Sequence, residues 1–494
     1  MKNCDYLIVG GGSAGAIVAK RLAEGSGRQV ILVEAGRSDE ADPALLDLSL
    51  LDQQSEATEW GWRAQPVQEM RQQIQYLRAK MLGGCGNHND CAFLVPPAAD
   101  FEHWASIGAK GWAWDDVSEF FNKVEQQVYV ETRPPVNALS QSLLQAGMEL
   151  GLVARDFRQG IQQGVGAFPL NARGRWRQSS SVAYLHPLDS LPDNLKVICN
   201  TQARKLLFDG NRAVGCVTTD EELFAREEVL LCCGSVHTPH LMMISGIGPR
   251  AQLQEFAIEP LLDLPGVGRN LVDHAAANIS IELKAPIPDW TLTPCEVTMM
   301  CNTSLQNNEA PELLYHFVLQ YRDKYGNDGP NAEAPRAIKI SPNVMRPLSR
   351  GDIRLQSDQI DCQPLINLNY FSDQYGQDMK TMVDGLRLGR RLVETRALTP
   401  QVLREIQPGP QVQSDQQLQH YVRQTCETVY HPAGTCRMGD LDHPDTVVGA
   451  DLRVKGIDNL RVCDASVFPS MVSVNINNTV MMLAEKAAAM ILQN

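Results

Sequence analysis

The sequence is short of the features that would tie it to nucleic acid or to a bilayer. Lys and Arg number 44 against 58 Asp and Glu, a formal net charge of −14. With a pI of about 5.2, that balance argues against non-specific nucleic-acid binding and against a basic membrane-facing patch. No apolar run reaches the roughly 18 residues that a spanning helix needs. Strand-like sequence begins almost at the first residue, so no cleavable signal segment is expected ahead of it. The 13 cysteines are odd in number and scattered, which reads as reduced thiols in a cytoplasm rather than a disulfide framework. No C-x-x-C pair recurs at zinc-ribbon spacing, so no structural metal is expected. At 494 residues the chain exceeds one ordinary core, and two domains are the expectation.

What is present gathers first between Tyr6 and Gly36. Tyr6-Leu7-Ile8-Val9 is an apolar, β-branched run of the kind that forms a buried parallel strand. It ends in Gly10-Gly11-Gly12-Ser13-Ala14-Gly15, where Gly10, Gly12 and Gly15 fit G-x-G-x-x-G. A helix is expected from Ala16 through Leu22, then a second strand over Gln29–Val33 closing on Glu34-Ala35. This is a dinucleotide-binding βαβ unit. Gly10 allows the tight turn, Gly12 lets the backbone approach a pyrophosphate, and Gly15 lets helix and strand pack closely. Ser13 and Ala14 lie where the free N–H groups of the helix would meet the phosphates. A carboxylate at Glu34 would accept from a ribose diol, which favours NAD or FAD over NADP.

A second cluster is Gly83-Gly84-Cys85-Gly86-Asn87-His88-Asn89-Asp90-Cys91, a poor core element and a good ligand-approach loop. Here the chain resembles the glucose–methanol–choline (GMC) flavin oxidoreductases. They carry a G-G-[S/C]-x-x-x-N loop along the flavin, and the choline-oxidase branch has G-G-C-x-x-H-N with a flavin-bonded histidine. By that resemblance His88 is a covalent FAD tether and Asn89 a flavin contact. Asp90 departs from the small residue usual in the branch. A carboxylate there would lie near the flavin, where it could bind a cationic or polyhydroxylated substrate or pair with a local Arg or Lys.

Further family patterns follow in order. Trp112 to Asp116 continues G-W-x-W-D-D, and Arg177 to Leu185 resembles R-x-S-x-x-x-x-Y-L. Gly234 to Pro239 with Ser245 to Pro249 matches the second signature, and Pro265 to His274 matches again. At the C-terminus, His431-Pro432-Ala433-Gly434-Thr435 resembles H-P-x-G-T, and Val462-Cys463-Asp464-Ala465-Ser466 resembles V-x-D-A-S. Gly234, Asp464, Ala465 and Thr479 join the implied cofactor contacts. The segment Val128–Val136 replaces most of a glycine-rich hairpin that in relatives covers the active-site entrance or an interface. A homodimer is among the assemblies that this leaves open.

The resemblance implies an α/β fold: a Rossmann-like FAD-binding domain plus a substrate domain with a mostly antiparallel sheet flanked by helices. FAD-binding parts are expected over 1–140, 165–275 and 429–494, the last carrying the catalytic pair, with substrate-domain parts over 141–164 and 276–428. Strands are expected at Asn278–Lys284, Leu313–Val318, Lys339-Ile340 and Gly351–Leu355, a helix at Met379–Glu394, and an apolar helix from near Asn475 to about Leu492.

Flavin oxidation of an alcohol needs a base for the hydroxyl proton, and a histidine of near-neutral pKa suits that task. The family's catalytic histidine falls on His431 and its partner on Asn475. His316 aligns with a third histidine that would orient the alcohol. Trp60 and Tyr430 remain as substrate-side aromatics. The glutamate that holds trimethylammonium in choline oxidases is absent, because Asp273-His274 is followed by Ala275-Ala276, and an aromatic wall expected around Pro294-Cys295 is missing. Without counter-charge and half its cage, choline loses Coulomb and cation–π stabilisation and is expected to be a poor substrate. The expected reaction is oxidation of a primary or polar alcohol, with oxygen or another molecule as electron acceptor. Some family members are lyases or photodecarboxylases, but a retained His431/Asn475 pair favours alcohol chemistry.

Overall fold

The structure is a computed structural model describing residues 2–40, 42–53, 56–67, 69–70, 73–287, 293, 295–305, 310–319 and 336–493. Two large sheets organise it. In the first, Lys2–Val9 lies between Val30–Val33 and Glu222–Leu231, parallel to both, and Leu195–Ile198 extends it beyond Val30–Val33. All four residues of Val30–Val33 are buried, which is why that run has no polar alternation. The Glu222–Leu231 strand does two jobs. Its outer half alternates in burial and pairs antiparallel with Arg212–Thr218, itself paired to Ala203–Asp209. Its last three residues are fully buried and pair in parallel with Leu460–Val462. Helix Gly15–Ser26 packs on Asn477–Leu492, which packs on Trp114–Gln127. Glu485 is an acid inside that alanine-rich helix. It is satisfied there by Arg21 Nη2 at 2.9 Å and by the Tyr184 hydroxyl at 2.7 Å.

The second sheet is antiparallel throughout. Its order is Val402–Gln407, Ile279–Leu283, Ala337–Val344, Leu313–Val318, Val297–Cys301, Gly164–Ala167. Helix Gln377–Val393 packs against it, and Tyr315 donates to the Gly385 carbonyl at 2.7 Å. A short strand, Ala275–Ala276, joins this sheet to Glu427–Thr428 and leads directly away from His274.

Several expectations are corrected. The strand read at Gly351–Leu355 does not join the large sheet: Asp352–Arg354 pairs with Leu365–Asn367 in a separate hairpin. Three strands of the second sheet, Gly164–Ala167, Val297–Cys301 and Val402–Gln407, were not expected. The C-terminal helix starts at Asn477, so Asn475 precedes it. Cys232 and Cys233 follow the Glu222–Leu231 strand, and Cys233 stands at the N-cap position of helix Gly234–Ile244. Within Val128–Val136, Glu131–Thr132 pairs with Pro169–Leu170. Pro294 lies outside the described residues. All 13 cysteines are free thiols. Among the described residues no helix is long and apolar enough to cross a membrane.

Candidate active site

A cavity of about 840 Å³ draws its walls from both sheets. The glycine turn forms one wall, where Gly10, Gly12, Ser13 and Ala14 face the cavity beside Glu34 and Ala35. Gly15 does not face it. A Cβ there would stand 1.9 Å from the Gly10 carbonyl oxygen, so its bareness serves the packing of helix on turn. Gly12 differs, since a Cβ there would meet only Gly84 Cα at 3.8 Å, leaving open space on the cavity side. Glu34 accepts from the Gly11 and Gly36 N–H groups, both at 2.8 Å. These bonds aim the carboxylate without using all its lone pairs, and burial pushes its pKa up to about 7.

The loop after Leu82 forms a second wall. Gly84, Cys85, His88, Asn89 and Asp90 face the cavity, whereas Gly83 and Cys91 lie behind it. Arg177 holds the loop from below. Its Nη1 donates to the Asn89 carbonyl at 2.6 Å, to Asn89 Oδ1 at 2.8 Å and to Cys91 Sγ at 3.0 Å. His88 Nε2 sits against the Glu59 carboxylate. Burial alone would lower the His88 pKa, but Cys85 and Glu59 beside it outweigh burial and raise it. The Cys85 thiol shifts the other way. Arg78 and His88 overcome its burial and lower its pKa.

Asp464 ties the third wall together. It accepts from the Gly234 N–H at 2.9 Å, from Thr238 Oγ1 at 2.6 Å and from the Ser466 N–H at 2.8 Å. Gly234, Asp464 and Ala465 all line the cavity. Thr479 does not; it is fully buried on the C-terminal helix with no partner for Oγ1. Asn475 Oδ1 and Asn477 Nδ2, also buried and unpartnered, belong to residues that line the cavity. The open space at Gly12 and the aimed carboxylate of Glu34, in a cavity that Asn475 and Asn477 also line, fit a flavin dinucleotide.

The expected catalytic residues converge on the same space: His431, Asn475 and His316 all line it. Asn475 Nδ2 lies 3.3 Å from His431 Nε2. On the other side of the ring, His431 Nδ1 lies 2.8 Å from His274 Nδ1. His274 Nε2 faces two carbonyls, Met345 O at 3.2 Å and Val472 O at 3.1 Å. Carbonyls only accept, so His274 carries its proton on Nε2 and accepts at Nδ1. His431 therefore donates from Nδ1, and its Nε2 lone pair accepts from Asn475 Nδ2 at the cavity wall. Burial holds His274 down to about 3 and His431 well below its ordinary value, with His274, His316 and Arg78 adding to the latter. The near-neutral pKa expected for His431 is thus corrected, because an enclosed ring disfavours its charged form. His316 is likewise held down to about 4 by burial. Its ring stacks on Phe168 at 5.6 Å, and its Nδ1 faces Asn343 Oδ1 at 3.3 Å.

Asp273, which the sequence reading left without a role, holds the His431 backbone. It accepts from the His431 N–H at 2.9 Å, and from Thr428 Oγ1 at 2.6 Å, Tyr370 at 2.7 Å and Tyr76 at 3.1 Å. Asp273 and His274 were visible only as part of a family pattern; nothing local pointed to Tyr76 or Tyr370. Arg78 was also missed. It lines the cavity and donates to the Tyr430 carbonyl at 2.7 Å. Tyr430 is half exposed in the cavity wall. Trp60 is both pocket lining and packing anchor: its ring lies 5.4 Å from Trp62 and 4.3 Å from His237, and Lys80 Nζ sits 4.6 Å above it.

Comparison with known proteins agrees with this arrangement. The GMC oxidoreductase N-terminal profile matches residues 4–276 and the C-terminal profile residues 347–484. Choline oxidase of Arthrobacter globiformis is 35% identical, with 99% of this chain and 94% of that enzyme aligned. The "alcohol dehydrogenase [acceptor]" of Pseudomonas putida is 32% identical, over 99% and 96%. Among solved structures, pyridoxine 4-oxidase from "Mesorbium loti" superposes with a TM-score of 0.90 at 26% identity, covering 99% of both chains. A glycine turn, a flavin loop and a histidine–asparagine pair on one cavity, matched over nearly the whole length, place the chain in the GMC oxidoreductase family, as an FAD-dependent oxidoreductase.

Proposed function

We propose that this chain oxidises a primary alcohol to its aldehyde, with His431 as the base. The observation that carries the reading is the directed chain from the Met345 and Val472 carbonyls through His274 to His431, which leaves Nε2 unprotonated on the cavity side. There it takes the hydroxyl proton, and Nδ1–H continues to donate to His274 as the ring becomes charged. Asn475, 3.3 Å away, holds the alcohol oxygen through its amide. Asp273 fixes the His431 backbone, so the ring meets the substrate without reorganising. His316, neutral and packed on Phe168, is placed to orient the hydroxyl. Bound FAD would supply the acceptor for the carbon-bound hydride, and His88, in the cavity wall, would carry it covalently.

The test is anaerobic mixing of the flavoprotein with primary alcohols, amino alcohols and sugars while following flavin absorbance. Bleaching by an alcohol is expected; its absence across the panel would overturn the reading. Readmitting air then separates oxygen from other electron acceptors. Flavin that stays with acid-precipitated protein would support the His88 tether, and flavin released by acid would exclude it. Choline is expected to turn over poorly. Ala276 lines the cavity and Ala275 is buried beside it, so no carboxylate stands just after His274. A choline KM as low as that of a dedicated choline oxidase would contradict this.

A further inference from the structure

The Asp90 carboxylate has no part in the chemistry above, yet it faces the reacting space. Its side chain is exposed and lines the cavity. Among the described residues nothing hydrogen-bonds or ion-pairs with it. The pairing with a local Arg or Lys that the sequence allowed is not made. Arg177 and His88 act on it only through space. Arg177 directs Nη1 and Nε to the loop carbonyls, Asn89 Oδ1, Cys91 Sγ and the Leu45 carbonyl. His88 is engaged with Glu59 and Cys85.

Among the described residues no other cation on the cavity wall pairs with Asp90. Arg78 stands beside Asp273 and Glu59, and Lys339 Nζ lies 3.6 Å from Glu427. His316 and His431 are neutral at ordinary pH. Cys91 and Cys295 stand close to it. Cys91, Phe168, Cys295, Met345 and Val474 form one cluster, with Ala92 and Val318 packed on it. Cys91 and Val474 are the chain neighbours of Asp90 and Asn475, and the Met345 carbonyl receives the His274 proton. The free carboxylate, His431 and Asn475 all line the same cavity.

An ionised carboxylate among apolar groups is costly unless a cation meets it. We infer that Asp90 is the binding site for the protonated amine of an amino-alcohol substrate, accepting its N–H groups while the hydroxyl end reaches His431 and Asn475. The orientation of the alcohol rests on the oxidation proposed above; the cation site does not. A primary to tertiary ammonium suits this site better than a quaternary one. It can hydrogen-bond the carboxylate directly, whereas a quaternary cation depends on an aromatic cage, and Phe168 has a face covered by His316.

The test uses the flavin-loaded protein and Asp90→Asn, matched for flavin content, with Asp90→Glu as the charge-retaining control. Binding of propylammonium, which has no hydroxyl to oxidise, is followed through the flavin spectrum. It should weaken about 10- to 100-fold in Asp90→Asn and be partly kept in Asp90→Glu. The preference in kcat/KM for 3-aminopropan-1-ol over butan-1-ol should fall by a similar factor. Equal propylammonium affinity in all three proteins would overturn the inference. So would a larger effect of Asp90→Asn on butane-1,4-diol, which would mark a site for neutral polyols. If no alcohol is oxidised while ammonium binding still depends on Asp90, the oxidation reading fails and the cation site stands. Oxidation of butan-1-ol without any Asp90-dependent ammonium binding gives the reverse.

Discussion

At the scale of single residues, the tautomer of His431, the proposed base, is set by its neighbours. An isolated imidazole has two equivalent tautomers, and only one would leave Nε2 free to accept. His274 selects that one, because both carbonyls at its own Nε2 demand a donor. His431→Ala is expected to slow flavin reduction by an alcohol about 10²- to 10⁴-fold. His274→Ala keeps the base but frees its tautomer, and should cost about 10- to 100-fold; anaerobic rapid mixing measures both. The pH dependence follows from burial. His431 works as a base while neutral, and its pKa lies well below 6.5. Activity should therefore hold as pH falls through 6.5 and decline only in more acidic solution. A kcat/KM profile with its acid limb at or above 6.5 would contradict this assignment. His431 could be singled out as the candidate base because a His-Pro-x-Gly-Thr run is a local pattern. Its pKa was not, since enclosure is contributed by residues from the rest of the chain.

At the scale of elements, the glycine turn separates packing from binding. Gly15→Ala would drive a methyl into the Gly10 carbonyl, 1.9 Å from the added carbon, and should prevent stable folding. At Gly12 the nearest atom to an added Cβ is 3.8 Å away. Gly12→Ala should therefore unfold like the flavin-free wild type but fail to take up FAD, because the methyl would occupy the space the pyrophosphate approaches. Flavin content and thermal unfolding of the two variants distinguish these outcomes. The first βαβ unit was readable for the same reason: strand, turn, helix and acid are contiguous and each makes a local demand. The missed strands made none. Val297–Cys301 is buried at all five positions and shows no alternation. Gly164–Ala167 carries glycines that argue against a strand, yet a Cβ at Gly164 or Gly166 would lie 2.2 Å from an Arg155 atom.

At the scale of the whole molecule, Asp273 joins parts of the chain that sequence cannot connect. Its donors come from Tyr76, Tyr370, Thr428 and His431, and the Tyr370 bond spans 97 positions. Burial pushes the Asp273 pKa up, and these donors with Arg78 only partly counter it. Tyr370→Phe should cost about 1–2 kcal/mol of unfolding free energy by leaving one acceptor site empty. Asp273→Asn should cost more, since its amide would point N–H groups at hydroxyl donors, and it should also slow flavin reduction by loosening His431. Denaturant unfolding with parallel reduction kinetics would show whether both effects appear together. Ordered motifs made the fold family and most of the cavity wall readable. The long-range hub was not, because only tertiary packing decides which distant hydroxyls meet one carboxylate.

The hold on His274 has a consequence for sequence drift. Its two anchors are main-chain oxygens of Met345 and Val472, and every residue type offers such an oxygen. The side chains at 345 and 472 can therefore be exchanged without resetting the direction of the proton relay, provided the backbone keeps its path. The chemistry of the base is insulated from mutation at the two positions that define it.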